Sequence, residues 1–385
     1  MEPADVVLRF LESVGRRSEA EFYLGLFRAE PKEQFAAISV DANVARHAWE
    51  AVVLDLKFLA ALGLMPVVVL GLFEPTDAEE HGARIRRRLE KGAVAAQLIA
   101  VEQSSEPAQL AEAITLLARA GTVPILTFGP PMLALTVEDR FARMGALLAA
   151  LRTRKLIFLH RPGGLRQKGE LVQLANLTTD FSSLQGSKEL SRKERAMVTQ
   201  SRRLILELVP HKLLVAITSP FNLFRELFTT KGAGTLLRRG AVLSRRDGLA
   251  GIDRDQLRAL LISAFGRPPV DEFFDRPVSQ VYVEENLRGA ALLLDTPLGA
   301  YLTKFAVDRE AQGEGMGRDL WALIAADHPT VFWRARAHNP VVAWYDQLCD
   351  GMVRLPDWNV YWKGLPSDRI PAAIAFALAQ PVDIP

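Results

Sequence analysis

Two hydrophobic rhythms alternate along the first half of the chain. Val7, Leu8, Leu11, Phe22, Leu26 and Phe27 keep helical spacing over residues 6–28. A short apolar run at 35–40 comes next and suits a buried strand. A helical stretch over 45–62 then leads into a valine-rich run at 65–70. Strand, helix and strand at this spacing predict a βαβ unit with a parallel pair. The pattern recurs as a helix over 107–120, a strand at 123–126, a helix over 137–151 and a strand at 155–159. Gly129-Pro-Pro and Pro162-Gly-Gly come after strands, as loops at a sheet edge should. Residues 178–203 are polar and mixed in charge, which predicts a surface excursion, with a basic binding surface as the alternative. The chain returns to a strand at 213–217, succeeded over 219–236 by a helix and a glycine loop. The first half is thus expected to be an α/β domain with helix–sheet–helix layers.

The second half changes character. Residues 242–251 are largely polar and hold Arg245, Arg246, Asp247 and Gly248, which predicts a linker. Beyond it, 253–265 is helical. The runs 278–284, 289–294 and 301–307 read as consecutive antiparallel strands. A glycine loop, a helix over 318–327, a strand at 331–336, a helix over 340–349 and a strand near 358–363 complete an α+β pattern. The expected division is 1–241, a linker at 242–251, and 252–385.

Composition narrows the function classes. With 385 residues, 49% of them hydrophobic, the chain can bury a sizeable core. Lys and Arg number 47 against 45 for Asp and Glu, a formal charge of +2 that disfavours nucleic-acid binding through bulk charge. A single cysteine, Cys349, excludes an intramolecular disulfide and a multi-cysteine zinc site, and the six histidines are scattered, so no metal is expected. The first residues lack the pattern of a signal peptide. The apolar run at 58–73 is interrupted by Gly63, Pro66 and Gly71 and falls short of the roughly 18 residues a membrane span needs. A soluble, cytoplasmic protein with no membrane partner is expected.

Two stretches carry candidate chemistry. A predicted strand runs into Gln312-Gly-Glu-Gly-Met-Gly317, which opens a helix. Glycines there let backbone N–H groups approach an anion, and the helix N-terminus adds its dipole, which suits a pyrophosphate. A P-loop would need Gly-Lys-Ser/Thr, which is absent. A dinucleotide fingerprint would need a later third glycine and an early βαβ context. The (Arg/Gln)-x-x-Gly-x-(Gly/Ala) loop of the GNAT acetyltransferases fits Gln312, Gly315 and Gly317 at every fixed position. A glycine helix start with no ligand is the competing reading. The second stretch is Phe332-Trp-Arg-Ala-Arg-Ala-His-Asn-Pro340. In a strand Arg334 and Arg336 share a face, where two guanidiniums invite carboxylates. An edge strand or an internal ion pair would explain them equally well. Asn339 before Pro340 suits a helix cap, and a lone Tyr345 suits packing as well as catalysis.

Family resemblance bears on these alternatives. Residues 301–321, Phe332-Trp-Arg-Ala-Arg336, Asn339 through Tyr345, and Trp358-Asn-Val-Tyr-Trp-Lys-Gly364 resemble the synthase domain of vertebrate-type N-acetylglutamate synthases, shared by bifunctional bacterial N-acetylglutamate synthase/kinases. The resemblance covers most of 251–365. It implies acetyl-CoA as cosubstrate and L-glutamate as acceptor. The family's glutamate-site and catalytic positions map onto Lys304, Arg334, Asn339 and Tyr345, with Arg336 as a further substrate contact. Phe305, Ala306 and Val307 would border the acetyl group. Gln312, Gly313, Gly315, Met316 and Gly317 would hold the pyrophosphate. The family usually has aspartate before its lysine, where this chain has Thr303.

The N-terminal half resembles the amino-acid-kinase domain of the same proteins, through Glu19-Ala-Glu-Phe-Tyr-Leu-Gly-Leu-Phe27, Lys155-Leu-Ile-Phe-Leu-His-Arg-Pro-Gly-Gly-Leu165 and Arg225-Glu-Leu-Phe-Thr-Thr-Lys-Gly-Ala-Gly-Thr-Leu236. Together the resemblances imply an α/β amino-acid-kinase-like three-layer sandwich succeeded by an α+β GNAT acetyltransferase domain. Ser39-Val-Asp-Ala42 stands where the family has a lysine and paired glycines, and Leu70-Gly-Leu-Phe-Glu-Pro75 replaces a second glycine-rich loop. Phosphoryl transfer needs cations and backbone amides around the moving group, so a dead kinase is expected. Tyr23, Glu226, Gly232 and Gly234 resemble the positions that hold arginine in arginine-sensitive relatives, which implies L-arginine as an effector. A helix end and turn would explain the glycines equally well. The resemblance further implies a homo-oligomer assembled through the kinase-like domain. The resulting expectation is acetyl transfer from acetyl-CoA to glutamate, the first step of arginine biosynthesis. The alternatives are a synthase that retains kinase activity and a non-catalytic arginine sensor.

Overall fold

Ala37–Val40, Val67–Leu70 and Lys155–Leu159 are nearly continuous apolar runs because each lies inside a parallel sheet covered on both faces. The computed structural model describes residues 17–29, 31, 35–229, 232–309, 311–312, 314–339 and 341–384. By contacts the chain divides into two compact units, Met1–Arg239 and Gly240–Pro385. In chain order the strands of the first unit are β1 (Ala37–Val40), β2 (Val67–Leu70), β3 (Ala96–Ala100), β4 (Val123–Thr127), β5 (Lys155–Leu159), β6 (Arg166–Gln167), β7 (Glu170–Leu171), β8 (Leu174–Asn176), β9 (Leu214–Thr218) and β10 (Thr235–Arg238). Eight of them form a sheet in the order β3-β4-β2-β1-β5-β9-β10-β8, and β6 pairs with β7. The large sheet is parallel except where β10 runs against β9. Two buried clusters, one on each face, make the three layers.

The surface excursion expected over 178–203 is instead helical at Phe181–Gly186 and Arg192–Arg203. Ser191 and Glu194 close a capping box at the start of the second helix, which buries Met197, Val198, Gln200 and Ser201. The helix expected over 6–28 is seen as Arg17–Ala29, its earlier part lying outside the described residues.

The second unit holds β11 (Leu243–Asp247), β12 (Gln280–Glu284), β13 (Gly289–Thr296), β14 (Gly299–Val307), β15 (Val331–Arg336), β16 (Gly351–Arg354) and β17 (Trp358–Lys363). The sheet order is β11-β12-β13-β14-β15-β17-β16. The linker expected at 242–251 is therefore mostly an edge strand, paired antiparallel to β12 from Leu243 opposite Glu284 to Asp247 opposite Gln280. Its charges are tolerated because an edge strand faces water. The helices Arg254–Phe265 and Ile370–Ala379 pack on one face of the sheet, and Met316–Asp327 and Val342–Leu348 on the other. No helix among the described residues is long and apolar enough to cross a membrane.

Candidate active site

β14 and β15 are the one parallel pair in the second sheet. They stay in register only from Ala300 opposite Val331 to Leu302 opposite Trp333. Beyond that point they part, while β13 stays with β14 to Val307. A gap thus opens through the sheet, edged by residues 303–307 and 334–336. The register with β13 slips between Leu292 and Leu293, leaving Thr303 as an extra residue that faces neither. This bulge re-aims the side chains of β14 beyond Thr303. Strict alternation would put Lys304 on the face of Leu302. The bulge puts it with Tyr301 instead, directly opposite Leu292. The Thr303 hydroxyl donates to the Leu292 carbonyl at 3.1 Å.

Lys304 and Arg334 consequently share a face of the sheet. Lys304 Nζ donates to the Thr303 carbonyl at 3.1 Å and to Asp383 Oδ2 at 2.6 Å, and lies 5.4 Å from the Phe273 ring centre. Burial lowers the pKa of its ammonium, with Asp383 opposing the shift and Arg334 adding to it. Arg334 donates to the carbonyls of Leu378 and Pro381 at 3.3 and 2.7 Å. Arg334 and Arg336 lie 4.1 and 4.5 Å from the Trp358 ring centre. The cation pair read from the strand is present, and one tryptophan is its shared platform.

Tyr345 lies on the opposite face, within a wall of rings. Trp333, Trp344 and Tyr361 have their ring centres 5.5, 5.4 and 5.5 Å from it, and Phe305 is 5.4 Å from Trp344. Burial raises the pKa of the phenol. The hydroxyl therefore stays protonated across the ordinary pH range. Asn339 does not join this group by any hydrogen bond seen. Its Oδ1 accepts from the Val341 N–H at 3.0 Å, which satisfies an amide at the start of the helix Val342–Leu348. Asn339 thus closes a turn just ahead of the helix, whose N-cap is Val341 and not Asn339 as the sequence suggested.

Gln312 to Gly317 is a turn entering the helix Met316–Asp327. Gly315 has φ +81°, a conformation that favours glycine, directly before the first helical residue. Gln312 Nε2 donates to the Val307 carbonyl at 3.2 Å, tying the turn to the end of β14. Met316 is buried, and a Cβ on Gly317 would meet Phe305 at 3.5 Å and Val307 at 3.8 Å, both ordinary contacts. The fold itself does not demand glycine at 317. Gly313 lies outside the described residues. Phe305 and Val307 face the aromatic wall, while Ala306 is buried on the Lys304 face.

A family model described as the N-acetyltransferase domain of N-acetylglutamate synthase matches residues 243–376. Human mitochondrial N-acetylglutamate synthase is 31% identical over 94% of this chain and 75% of its own length. A Xanthomonas campestris protein named acetylglutamate kinase is 32% identical over 90% of this chain and 94% of its own. This chain belongs to the N-acetylglutamate synthase family. The two-unit fold matches that of N-acetylglutamate synthase from Neisseria gonorrhoeae, solved with coenzyme A and N-acetyl-glutamate, with a TM-score of 0.51 and 17% identity over 90% of this chain and 98% of that one.

As a family member the chain carries an amino-acid-kinase-like first unit, and its segments 39–42 and 70–74 line a small cavity. Ser39 is buried in β1. The Asp41 carboxylate meets His160 Nδ1 at 3.2 Å, Lys193 Nζ at 2.8 Å and the Asn43 N–H at 2.7 Å. Burial pushes its pKa up, but these bonds outweigh burial and hold it at about 2. Lys193 also reaches Glu74 at 2.7 Å. The cavity between Ser39, Gly71, Glu74 and Lys193 holds about 20 Å³, room for little more than a water. Sequence reasoning missed Lys193, although Ser191-x-x-Glu194 marked its helix.

The four positions likened to an arginine site lie in the same unit. The helix of Tyr23 packs beside Leu223–Phe228, with Phe27 5.6 Å from Phe228. The buried Glu226 carboxylate takes the Ala233 N–H at 3.0 Å and faces Lys155 at 3.4 Å. A Cβ on Gly232, whose φ is +65°, would come within 2.6 Å of Glu226 Oε2, and one on Gly234 within 2.2 Å of the Ile217 carbonyl. Gly232 is favoured by its positive φ, and Gly234 is required by close backbone approach.

Proposed function

We propose that this chain transfers the acetyl group of acetyl-CoA to the amine of L-glutamate. The carrying observation is the gap between β14 and β15, with Lys304 and Arg334 on one face and Tyr345 on the other. Membership of the N-acetylglutamate synthase family supports the choice of donor and acceptor. In this reading acetyl-CoA lies along residues 305–307, its pyrophosphate against Gln312–Gly317 and the helix N-terminus. Backbone amides of β14 polarise the thioester carbonyl. Lys304 and Arg334 neutralise the acceptor's carboxylates, with Arg336 beside them. The neutral amine attacks the carbonyl carbon, its surplus proton leaving to water. The C–S bond breaks, and Tyr345 protonates the departing thiolate. A hydroxyl whose pKa is raised by burial gives its proton only to a strong base, and a nascent thiolate shielded from water is one.

The amino-acid-kinase-like unit transfers no phosphoryl group in this reading. Its loop offers Asp41 and Ser39 where a transferring phosphate needs cations, and Lys193 is neutralised on both sides. L-arginine is its effector, bound near Tyr23, Glu226, Gly232 and Gly234. A relative from Neisseria gonorrhoeae, alike in fold, has been solved with coenzyme A and L-arginine, which supports that choice.

The test is thiol release from acetyl-CoA with L-glutamate against a panel of other amino acids, with and without L-arginine. Glutamate-dependent release establishes the transfer. A response to arginine that Glu226→Gln abolishes supports the effector site. Release with another amino acid and none with glutamate overturns the acceptor.

A further inference from the structure

Lys304 and Arg334, the two cations assigned to the acceptor, already have partners, and both sets lie in one short segment. After the helix Ile370–Ala379 the chain turns at Pro381 and lays Asp383 over Lys304. Arg334 bonds the carbonyls of Leu378, in the last turn of that helix, and of Pro381 in the segment. The Asp383 carbonyl accepts the Val270 N–H at 2.9 Å, which fixes the end of the segment. Pro381 and Val382 are exposed, yet Asp383 is only 7% exposed. Its carboxylate is buried because cations surround it. One of them went unread in the sequence: Arg276 Nε stands 2.7 Å from Asp383 Oδ1.

That last contact is an ill-fitting one. Although ion-paired, neither Arg276 Nε nor Asp383 Oδ1 makes a properly directed hydrogen bond among the described residues, and both atoms are buried. Buried polar atoms normally find directed partners, and a pair left without them is a poor resting state. A carboxylate free to choose its own position would satisfy Arg276 better than one tethered to the backbone.

We propose that Arg276 is a third acceptor-binding cation, and that Asp383 is an internal stand-in for the acceptor's carboxylate, lifted off Lys304 and Arg276 with its segment when a dicarboxylic amino acid binds. The inference rests on the reading of glutamate as acceptor. A carboxylate cannot take Lys304 while Asp383 holds it without placing two like charges side by side. Apparent affinity scales with the fraction of molecules whose site is free, so a self-contact formed nine times in ten raises the glutamate KM about tenfold.

Asp383→Asn removes the competing charge. It should lower the glutamate KM severalfold, up to about tenfold, with kcat and the acetyl-CoA KM unchanged. In the Asp383→Asn background, Arg276→Gln should raise the glutamate KM again. A fall in kcat, or a raised or unchanged glutamate KM, in Asp383→Asn overturns the stand-in and leaves Asp383 as a group that positions Lys304. No effect of Arg276→Gln removes Arg276 from the site. Hydrogen exchange on the unaltered protein needs no variant. Glutamate should speed exchange of the Val270 amide as the segment lifts, and slowed or unchanged exchange overturns the proposal. Absence of any glutamate-dependent transfer in the unaltered protein would instead defeat the glutamate reading itself.

Discussion

Thr303 donates its hydroxyl proton to the carbonyl of Leu292 across the β-bulge, at 3.1 Å. This bond pins the extra residue that swings Lys304 to the Arg334 face. Thr303→Val keeps the shape and removes the donor. It should cost about 1 kcal/mol of stability and raise the glutamate KM severalfold, with the acetyl-CoA KM untouched. Steady-state kinetics with each substrate varied in turn would check this. An acetyl-CoA effect of equal size would mean that the bulge serves the donor side instead.

Tyr345 is surrounded by rings and keeps its proton through burial. Tyr345→Phe preserves that packing and removes the acid. Turnover should drop at least about 100-fold, the ordinary worth of general acid catalysis, while acetyl-CoA binding by calorimetry stays within a factor of about two. Equal loss of both, or no loss, would make the tyrosine a packing residue.

Two glycines of the turn proposed to hold the pyrophosphate should separate folding from binding. Gly315 has φ +81°, so Gly315→Ala is strained and should lower stability by about 1 kcal/mol. Gly317 lies in the helix, where alanine would meet Phe305 at 3.5 Å and Val307 at 3.8 Å, both ordinary contacts. Gly317→Ala should leave the melting temperature unchanged or slightly raised and should still raise the acetyl-CoA KM about tenfold or more, because the added methyl meets the ligand. A normal acetyl-CoA KM for Gly317→Ala would place the pyrophosphate elsewhere.

Much of this was legible in the sequence, for reasons tied to particular elements. Buried parallel strands announce themselves as apolar runs, as at Val67–Leu70. The cation pair on β15 comes from alternation alone, and the glycine turn from its own residues. The bulge at Thr303 leaves no trace in periodicity, because only the partner strand defines the extra residue. Arg276 is a lone arginine after a short helical turn at Asp271–Asp275. The helix Ile370–Ala379 is apolar on nearly every side, so its period has no polar face to show. The segment after it thus went unread, and Asp383 with it. β11 was hidden by its charges, which an edge strand accepts. The helix bearing Lys193 was the avoidable miss, since its capping box stands in the sequence.

Asp41 gives the last test, one of stability and not of turnover. Its carboxyl is buried and held at about 2, below the ordinary 3.8, against the opposing effect of burial. A depressed carboxyl contributes stability that is present above the unfolded value and lost as pH falls through the folded one. The contribution is about 2 kcal/mol, full above pH 3.8 and removed between there and about 2. Asp41→Asn should therefore destabilise the protein near neutral pH, leaving His160 and Lys193 facing an amide. The gap between the two proteins should close on acidification toward pH 2. Denaturant midpoints for both, measured at intervals from pH 6 to pH 2, would show it. A gap that stays constant over that range would mean that Asp41 gains nothing from its ionised form, and that the loop after β1 is held by packing alone.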